Sequence, residues 1–213
     1  MKLTEERIID AGMAEFAESG YHGLSMRRVA QRLDARAGSL YYHVPSKSAL
    51  VQLMADRVAR QAYEAGTAAL AELGPDGRWQ ERVEAQLVTL RHALRRHRGG
   101  AVMFADSPKV LSTGALALME RLLETLRDGG VPATRLGVGA DALLSHVTGF
   151  VLQEQSESPA MSIDAEEAVA LRQRFPMTVA AAAGPEEEAQ DAKYVHSVRL
   201  LCAGLAVLPD TGL

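Results

Sequence analysis

Helix-forming residues dominate this sequence along almost its whole length, and no other feature restricts the possible folds as strongly. Ala, Leu, Glu, Arg and Gln are frequent throughout, and no segment alternates apolar with polar residues for long enough to form a sheet. Hydrophobic residues make up 47% of the 213 positions, which is ample for a core. The sequence therefore predicts a globular, all-α protein.

Capping residues and helix breakers divide the chain into predicted helices. Thr4, Ser25 and Ser46 suit N-cap positions, whereas Gly20 and Pro45 are typical of helix ends. These signals predict short helices at about 5–20, 26–33 and 36–43, and a long helix from 47 to about 73. Later helices are predicted at about 79–97, 112–128, 133–155, 165–183 and 186–208, with a brief segment around Phe104.

Cysteine usage and apolar run lengths bear on where the protein works. The single cysteine, Cys202, cannot form a disulfide within the chain, and the first residues, MKLTEERIID, are charged where a signal peptide needs an apolar run. The longest apolar stretch, LLCAGLAVL at 200–208, is about half of what a membrane helix requires. We expect a soluble, cytoplasmic protein with no membrane partner.

Residues 35–50, ARAGSLYYHVPSKSAL, place two tyrosines and a histidine between cations. Tyr41, Tyr42 and His43 all need polar partners or water when buried, so we expect this group to face outward. Residues 25–47 contain five Lys and Arg side chains and one acidic residue, although the whole chain has a net charge of −4. A basic patch on an acidic protein is typical of local contact with nucleic-acid phosphates.

Three short helices followed directly by a long one are the arrangement of a helix-turn-helix DNA-binding domain. Residues 3–54 resemble the DNA-binding domain of the TetR family of bacterial repressors. GYHGLSMRRVAQRL, at 20–33, matches the family pattern G-x-x-G-[LT]-[ST]-x-R-x-[VL]-A-x-x-L, and GSLYYHVPSK, at 38–47, matches its recognition helix and the lysine that follows. GFVLQEQ, at 149–155, is similar to the tetracycline-repressor branch, in a looser match. The resemblance implies a helix-turn-helix domain over 1–47, joined by the long helix to a ligand-binding and dimerisation domain over 48–213.

The resemblance also implies that the third helix enters the major groove of DNA with Leu40 facing inward. Contacts with base edges or nearby backbone are expected from Ala37, Gly38, Ser39, Tyr41, Tyr42 and His43. Contacts with phosphates are expected from Ser25, Arg27 and Lys47, and Arg28 and Arg36 complete the predicted DNA-binding set. For a single residue such as Tyr42 or Arg32, packing within the domain or a solvated position remains an alternative.

Asp34 departs from the family pattern, which usually has glycine at the first residue of the turn. Aspartate tolerates a left-handed backbone better than most residues do. We therefore expect an intact turn with a small strain.

Two apolar stripes near the C-terminus suit antiparallel helix packing. Ala140, Leu144, Val147, Val151 and Glu154 follow one helical face, as do Val195, Val198, Cys202 and Leu205. The resemblance implies a four-helix homodimer interface built from these two helices of each subunit. Periodicity alone leaves open that both stripes pack within one subunit.

The resemblance implies a small-molecule pocket among the helices between 48 and 155. The residues that match pocket positions of the tetracycline branch are Tyr63, Gln86, Leu90, Phe104, Ser107, Met119, His146, Phe150 and Gln153. Any one of them could instead be ordinary core. Phe104 and Gln153 stand where tetracycline repressors have a metal-binding histidine and a water-holding glutamate, so we expect no metal and no magnesium-chelated drug. A neutral or weakly polar natural product, such as an aromatic polyketide, is the expected effector.

These observations predict a repressor that binds a palindromic operator in double-stranded DNA as a dimer and is released by an effector that shifts the long helix. A TetR-like activator, or a regulator without an effector, is the alternative. An enzyme is disfavoured: GVGADA at 137–142 fits a nucleotide-loop pattern, but no predicted strand precedes it. No catalytic residues and no cofactor are predicted. A purely structural adaptor would leave the tyrosines of the third helix unexplained.

Overall fold

The computed structural model describes residues 2–107, 112–156, 164–182 and 187–207. Within these ranges the chain forms eleven α-helices and no strand, which confirms the all-α prediction. The helices are α1 Glu5–Gly23, α2 Met26–Arg32, α3 Ala37–His43, α4 Lys47–Leu73, α5 Trp79–Arg95, α6 Gly100–Asp106, α7 Thr113–Asp128, α8 Ala133–Gln155, α9 Ala165–Arg174, α10 Pro176–Ala182 and α11 Glu187–Val207. No helix in the described part of the chain has the length and apolar character needed to cross a membrane.

The predicted N-caps are in place. The side chains of Thr4, Ser25 and Ser46 each accept a hydrogen bond from the backbone N–H three residues later, at 3.4, 3.3 and 3.0 Å. Gly20 has φ 64° and interrupts α1, whose last turn then continues to Gly23. The predicted end at Gly20 therefore marks a real break in the helical backbone, because glycine adopts positive φ without steric cost.

The region after residue 164 differs from the prediction of a single helix. Two helices, α9 and α10, stand where one was expected over 165–183, and they meet at Phe175 and Pro176. Proline disfavours helical geometry in the residue before it, and Phe175 has φ −131° and ψ 56°, outside the helical region. The prediction missed this break. The expected break at Gly184-Pro185 lies outside the described residues.

The first three helices and the start of α4 form a small head, whose buried side chains continue along α4 into the core of the rest of the protein. Ile8, Phe16, Val29, Leu40 and Leu50 come from all four helices, and each is at most 2% exposed. Burial of large apolar side chains stabilises each by about 1.5–3 kcal/mol, which explains how short helices such as α2 and α3 hold their positions.

The helix α4 continues from the head into a larger helical body. Its 27 residues span about 40 Å at 1.5 Å per residue, and the helix packs against α5 and α7. The body core is built around Leu87, Leu90, Leu94, Leu122 and Val147, all nearly inaccessible to solvent. By contrast, α9 and α10 pack against each other, and none of their described side chains is buried.

Two contacts fix the head and the start of α4 to the body. Asp56 on α4 accepts hydrogen bonds from the hydroxyl of Ser112 and the backbone N–H of Gly114, both at 2.8 Å, at the N-terminus of α7. Gly99, between α5 and α6, has φ 72° and lies so close to the Phe16 ring of α1 that a Cβ there would come within 2.7 Å of it. Glycine is therefore required at this position both for its backbone and for the close approach.

The stripes predicted for a dimer interface are buried within one chain. The α8 residues Ala140, Leu144, Val147 and Val151 are at most 4% exposed, and the α11 residues Val198 and Cys202 at most 1%. These six residues pack inside the protomer, so their assignment to the dimer interface is wrong, whereas Glu154, Val195 and Leu205 of the same stripes are only partly buried. A dimer formed through α8 and α11 stays a prediction. Apolar residues on the outer faces of these helices, Val138, Leu152 and Leu200, remain exposed.

Candidate nucleic-acid interface and effector site

The turn between α2 and α3 is intact and places Asp34 in the left-handed region. Asp34 has φ 50° and is the only non-glycine residue with positive φ in the described part of the chain. The turn is held by backbone hydrogen bonds from Asp34 N to Gln31 O, at 3.1 Å, and from Ala35 N to Ala30 O, at 2.9 Å. This confirms the expected backbone conformation at the position where the family usually has glycine.

The helix α3 divides its side chains between the head core and the solvent. Leu40 is fully buried, as expected, while Tyr42 is 89% and Tyr41 is 50% exposed. The Tyr42 ring is supported only by an edge contact with His43, at 5.3 Å between ring centroids. Neither tyrosine packs inside the head, so burial does not explain why two aromatic residues stand here.

The basic residues of the head fall into two groups. Arg27 and Arg36 are exposed and form no ion pair or hydrogen bond with the described residues. Arg28 lies with its Nε 2.6 Å from a carboxylate oxygen of Glu15, and Arg32 pairs with Glu15 at 3.1 Å and also with Glu18. Glu15 itself is only 2% exposed, so this cluster joins α1 to α2. Of the four arginines of α2 and the turn after it, Arg27 and Arg36 are the ones without a side-chain partner among the described residues.

Lys47 and Ser25 are already engaged within the head. The Lys47 ammonium donates to the backbone carbonyl of Tyr21 at 2.5 Å and lies 4.4 Å from the centre of the Tyr21 ring. Ser25 uses its hydroxyl oxygen as the N-cap of α2. Gly38 and Ser39 are exposed, and space is open at the Cβ position of Gly38, whereas Ala37 packs partly against the core. The predicted DNA-binding residues thus all lie on or beside α2, α3 and the first turn of α4.

The nine residues predicted for an effector pocket lie at different places in the body. Tyr63 and Gln86 contact the partly buried Arg121, and Phe104 and Ser107 lie beside Ala55 of α4. His146, Phe150 and Gln153 line a groove between α8 and α11. Leu90 is buried in the core and Met119 packs against it.

The groove between α8 and α11 has a volume of about 530 Å³. In it Nε2 of His146 lies 2.6 Å from the Ser197 hydroxyl, which donates its hydrogen to the carbonyl of Tyr194 at 2.6 Å. The imidazole N–H is therefore the donor to Ser197, and this pair is not arranged as a base that activates a nucleophile. Burial lowers the pKa of His146, which favours the neutral ring.

Sequence reasoning missed two arginines in the body. Arg91 on α5 is 1% exposed and is neutralised by Glu154 at 2.5 Å and by Asp191 at 2.7 Å. Burial opposes its charge, but the hydrogen bonds that its guanidinium donates to these two carboxylates raise the pKa of Arg91 above its ordinary value. Arg121 on α7 lies between Tyr63 and Gln86 and has no carboxylate partner among the described residues. Helical spacing marked both positions only as charged residues on partly apolar helices.

The segment GVGADA, at 137–142, lies inside α8. A phosphate-binding glycine loop has to precede a helix N-terminus, so this segment is not one.

Comparison with known proteins identifies the family. Residues 8–54 match the sequence model for bacterial regulatory proteins of the tetR family, and residues 73–208 match that for the C-terminal domain of tetracyclin repressor-like proteins. The second match alone spans more than half of the chain.

Individual relatives agree with these matches. The chain is 32% identical over 168 residues to the HTH-type transcriptional repressor DrrR1 of Streptomyces coeruleorubidus, a match that covers 77% of this chain but only 60% of DrrR1. It is 29% identical over 163 residues to the tetracycline repressor protein class D of Escherichia coli, covering 76% of this chain and 71% of that protein.

A solved structure extends the likeness to the whole fold. The crystal structure of a possible TetR family transcriptional regulator from Streptomyces coelicolor A3(2) superposes with a TM-score of 0.77 at 26% identity, over 95% of this chain and 98% of that one. Head, body and sequence patterns all agree, and this chain belongs to the tetR family of bacterial regulatory proteins.

Proposed function

We propose that the protein is a repressor that binds a palindromic operator as a homodimer and is released from it by a small-molecule effector. The observation that carries this proposal is the outer face of α3, where Tyr42 is 89% exposed on a helix whose inner residue, Leu40, is fully buried. A helix held rigidly by its inner face, with aromatic and small residues on its outer face, suits insertion into a major groove.

The head supplies the DNA contacts in this proposal. Residues 1–47 act as the DNA-binding domain, and residues 48–213 bind the effector and the second subunit. Tyr41, Tyr42 and His43 meet the groove, and the unpaired Arg27 and Arg36 supply charge for phosphates. Lys47 and Arg28 can join only by exchanging their partners Tyr21 and Glu15, so we expect them to contribute less.

Pairing of two chains is needed because one helix-turn-helix unit contacts too few bases to select a site. Two copies related by a two-fold axis would read half-sites about 34–36 Å apart, or a multiple of that distance. The outer faces of α8 and α11 carry exposed Val138, Leu152 and Leu200, which supports a second copy at these helices. DrrR1 and the class D tetracycline repressor are both repressors by name.

The connection between effector and DNA is assigned to α4. This helix begins in the head, and its later turns carry Tyr63 and Thr67 beside the partly buried Arg121 of the body. An effector that binds better when α4 is displaced would change the spacing of the two heads, and operator affinity would fall by the same differential free energy.

The test uses a duplex selected from random sequence by repeated binding to the full-length protein. Tyr42→Ala should weaken binding of the selected duplex by about tenfold or more, the loss typical of a residue that stacks on or bonds a base, without lowering the melting temperature. Met177→Ala, a change at an equally exposed apolar residue of α10, is the matched control and should leave affinity unchanged. Equal affinities for all three proteins, or failure to enrich any duplex, would refute the proposal.

A further inference from the structure

The body contains a cation without a counter-charge. Nη1 of Arg121 donates to the backbone carbonyl of Tyr63 and to the hydroxyl of Thr67, both at 2.8 Å, and Nε donates to Oε1 of Gln86 at 3.2 Å. All three acceptors are neutral. Nη2 is buried and has no acceptor among the described residues, and no carboxylate of those residues lies within 4 Å of the guanidinium.

The surrounding residues hold the guanidinium in one place. Its carbon lies 4.1 Å from the centre of the Tyr63 ring, which favours a cation above it. The amide of Gln86 is oriented by donating to Thr125 at 2.8 Å, so that its oxygen faces Arg121. Gly66 of α4 leaves the space that Nη2 occupies, since a methyl group there would overlap it. Four residues on three helices thus fit around this one side chain: Tyr63 and Gly66 on α4, Gln86 on α5 and Thr125 on α7.

Arg121 is partly buried, and its charge has no carboxylate partner among the described residues. Removing a charge from water without a counter-charge costs free energy, although less for a group that water still reaches. Arg91 shows the usual solution in this same body, with two carboxylates against one guanidinium. Burial lowers the pKa of Arg121, which agrees with an environment that supplies too little negative charge.

A cavity of about 560 Å³ adjoins the arginine, at the end of the body where α4 and α7 finish and α5 begins. Its wall includes Arg121 together with Arg82, Trp79 and Leu70. Two acidic residues, Glu124 and Asp128, also line it; Asp128 is paired with Arg127 at 2.9 Å. The volume is that of a typical small-molecule site, and the wall combines two guanidinium groups with apolar and aromatic surface.

We propose that Arg121 is an anion receptor and that the effector of this protein is an organic acid, whose carboxylate pairs with Arg121 while its apolar part occupies the adjoining cavity. This inference rests on the proposed effector function of the body and names the chemical class that the site takes. Nη2 is buried against Gly66 of α4, so the carboxylate reaches it only when α4 is displaced, which is the movement assigned to the effector. A guanidinium fork then gives two parallel hydrogen bonds to such a group. The sequence analysis predicted a neutral or weakly polar effector instead. The sequence does not show that Arg121 lacks a carboxylate partner.

The test compares acids with their uncharged counterparts on the full-length protein. Sodium 1-naphthoate and sodium benzoate are titrated against 1-naphthamide and benzamide at constant ionic strength, and the melting temperature and heat of binding are measured. The acids should raise the melting temperature saturably and the amides should not. Absence of a saturable shift with either acid, or an equal shift with the amides, would overturn the inference.

Variants of Arg121 show whether this residue binds the acid or only stabilises the fold. Arg121→Met and Arg121→Gln should each bind the acids about tenfold or more weakly, the loss expected for hydrogen bonds to a charged group. Arg121→Lys keeps the charge and should recover part of the affinity. Without acid, Arg121→Met should melt at or above the temperature of the wild type, because it removes an uncompensated charge. A large drop in melting temperature for both Arg121→Met and Arg121→Gln, or undiminished acid binding by them, would show that Arg121 is structural.

Duplex binding is measured on the same preparations. A wild-type protein that binds acids through Arg121 but binds no duplex would refute the proposed repressor function and leave the receptor standing. Intact duplex binding together with acid binding that ignores Arg121 would refute the receptor alone.

Discussion

At the scale of single residues, the partner of each cation in the head determines what it can do. Arg27 is exposed and unpaired, whereas Arg32, five residues later on the same helix, is bound to Glu15 and Glu18. The hydrogen bonds that Arg32 donates to Glu18 and Glu15 raise the pKa of Arg32, so its charge is neutralised within the head. The two arginines look alike in the sequence but differ in their partners in the structure.

Replacing Arg27 should therefore affect mainly duplex binding, whereas replacing Arg32 should affect mainly stability. Arg27→Ala should weaken duplex binding, reduce the slope of log affinity against log salt by about one, and leave the melting temperature unchanged, as for the loss of one phosphate contact. Arg32→Ala should lower the melting temperature, because buried Glu15 loses a partner, and should change the salt slope much less. Both are measured by fluorescence anisotropy at several salt concentrations and by thermal unfolding. A salt slope that changes equally in the two variants would contradict the assignment.

Asp34 offers a second test at this scale. Its φ of 50° is tolerated by aspartate but costs nothing for glycine, so Asp34→Gly should raise the free energy of unfolding by about 0.5–1 kcal/mol. Asp34→Ala should not be stabilising, since alanine is strained at positive φ. Urea unfolding of the two variants decides this, and a less stable Asp34→Gly protein would show that the aspartate side chain itself holds the turn.

At the scale of elements, the contact between α4 and α7 is the main polar link between the proposed lever and the body. Burial of Asp56 alone would raise its pKa, but hydrogen bonds from Gly114 and Ser112 and the charge of Arg60 lower the pKa below its ordinary value. A carboxylate with a lowered pKa in the folded state contributes stability that is present above its unfolded pKa, about 4, and is lost as pH falls through the folded value. This link is therefore intact at neutral pH and weakens in acid.

Asp56→Asn should reduce the free energy of unfolding at neutral pH by about 1–3 kcal/mol, the range for hydrogen bonds to a charged group. The difference from the wild type should begin to shrink as the pH falls below about 5, where the unfolded chain takes up the proton first, and should disappear only below the lowered pKa of Asp56 in the folded protein. Asp141→Asn, at an exposed position of α8, is the control and should show no such difference. A stability gap for Asp56→Asn that does not depend on pH would contradict the ionic link.

The elements also show how far local sequence signals reach. Caps such as Ser25 and Ser46 could be placed from sequence because their hydrogen bonds are made within a single turn. Pro176 is a helix-breaking signal between α9 and α10, but the helix-forming residues on both sides of it led to the prediction of one continuous helix. The α8 stripe was identified correctly as apolar, yet periodicity cannot tell whether Val147 packs within its own chain or against a second one.

At the scale of the whole molecule, positive charge is concentrated in the head although the chain as a whole is acidic. The chain has a net charge of −4, but the free cations Arg27 and Arg36 lie on the head, and the unpaired Arg121 lies in the body. Sequence could locate the basic head because its cations are close together in the chain. The sequence could not distinguish the unpaired Arg121 from the paired Arg91. The partners of Arg91, Glu154 and Asp191, are 63 or more residues away from it in the chain.

The head is proposed to bind duplex DNA through phosphate contacts as well as through the outer face of α3. The most direct measurement is the affinity of the wild-type protein for its selected duplex, by fluorescence anisotropy, between about 50 and 200 mM salt. Binding should saturate at two chains per duplex, and the affinity should fall linearly on logarithmic axes, with a slope of about −0.9 for each phosphate contacted. Binding by a single chain, or an affinity that does not change over this range of salt, would contradict this proposal.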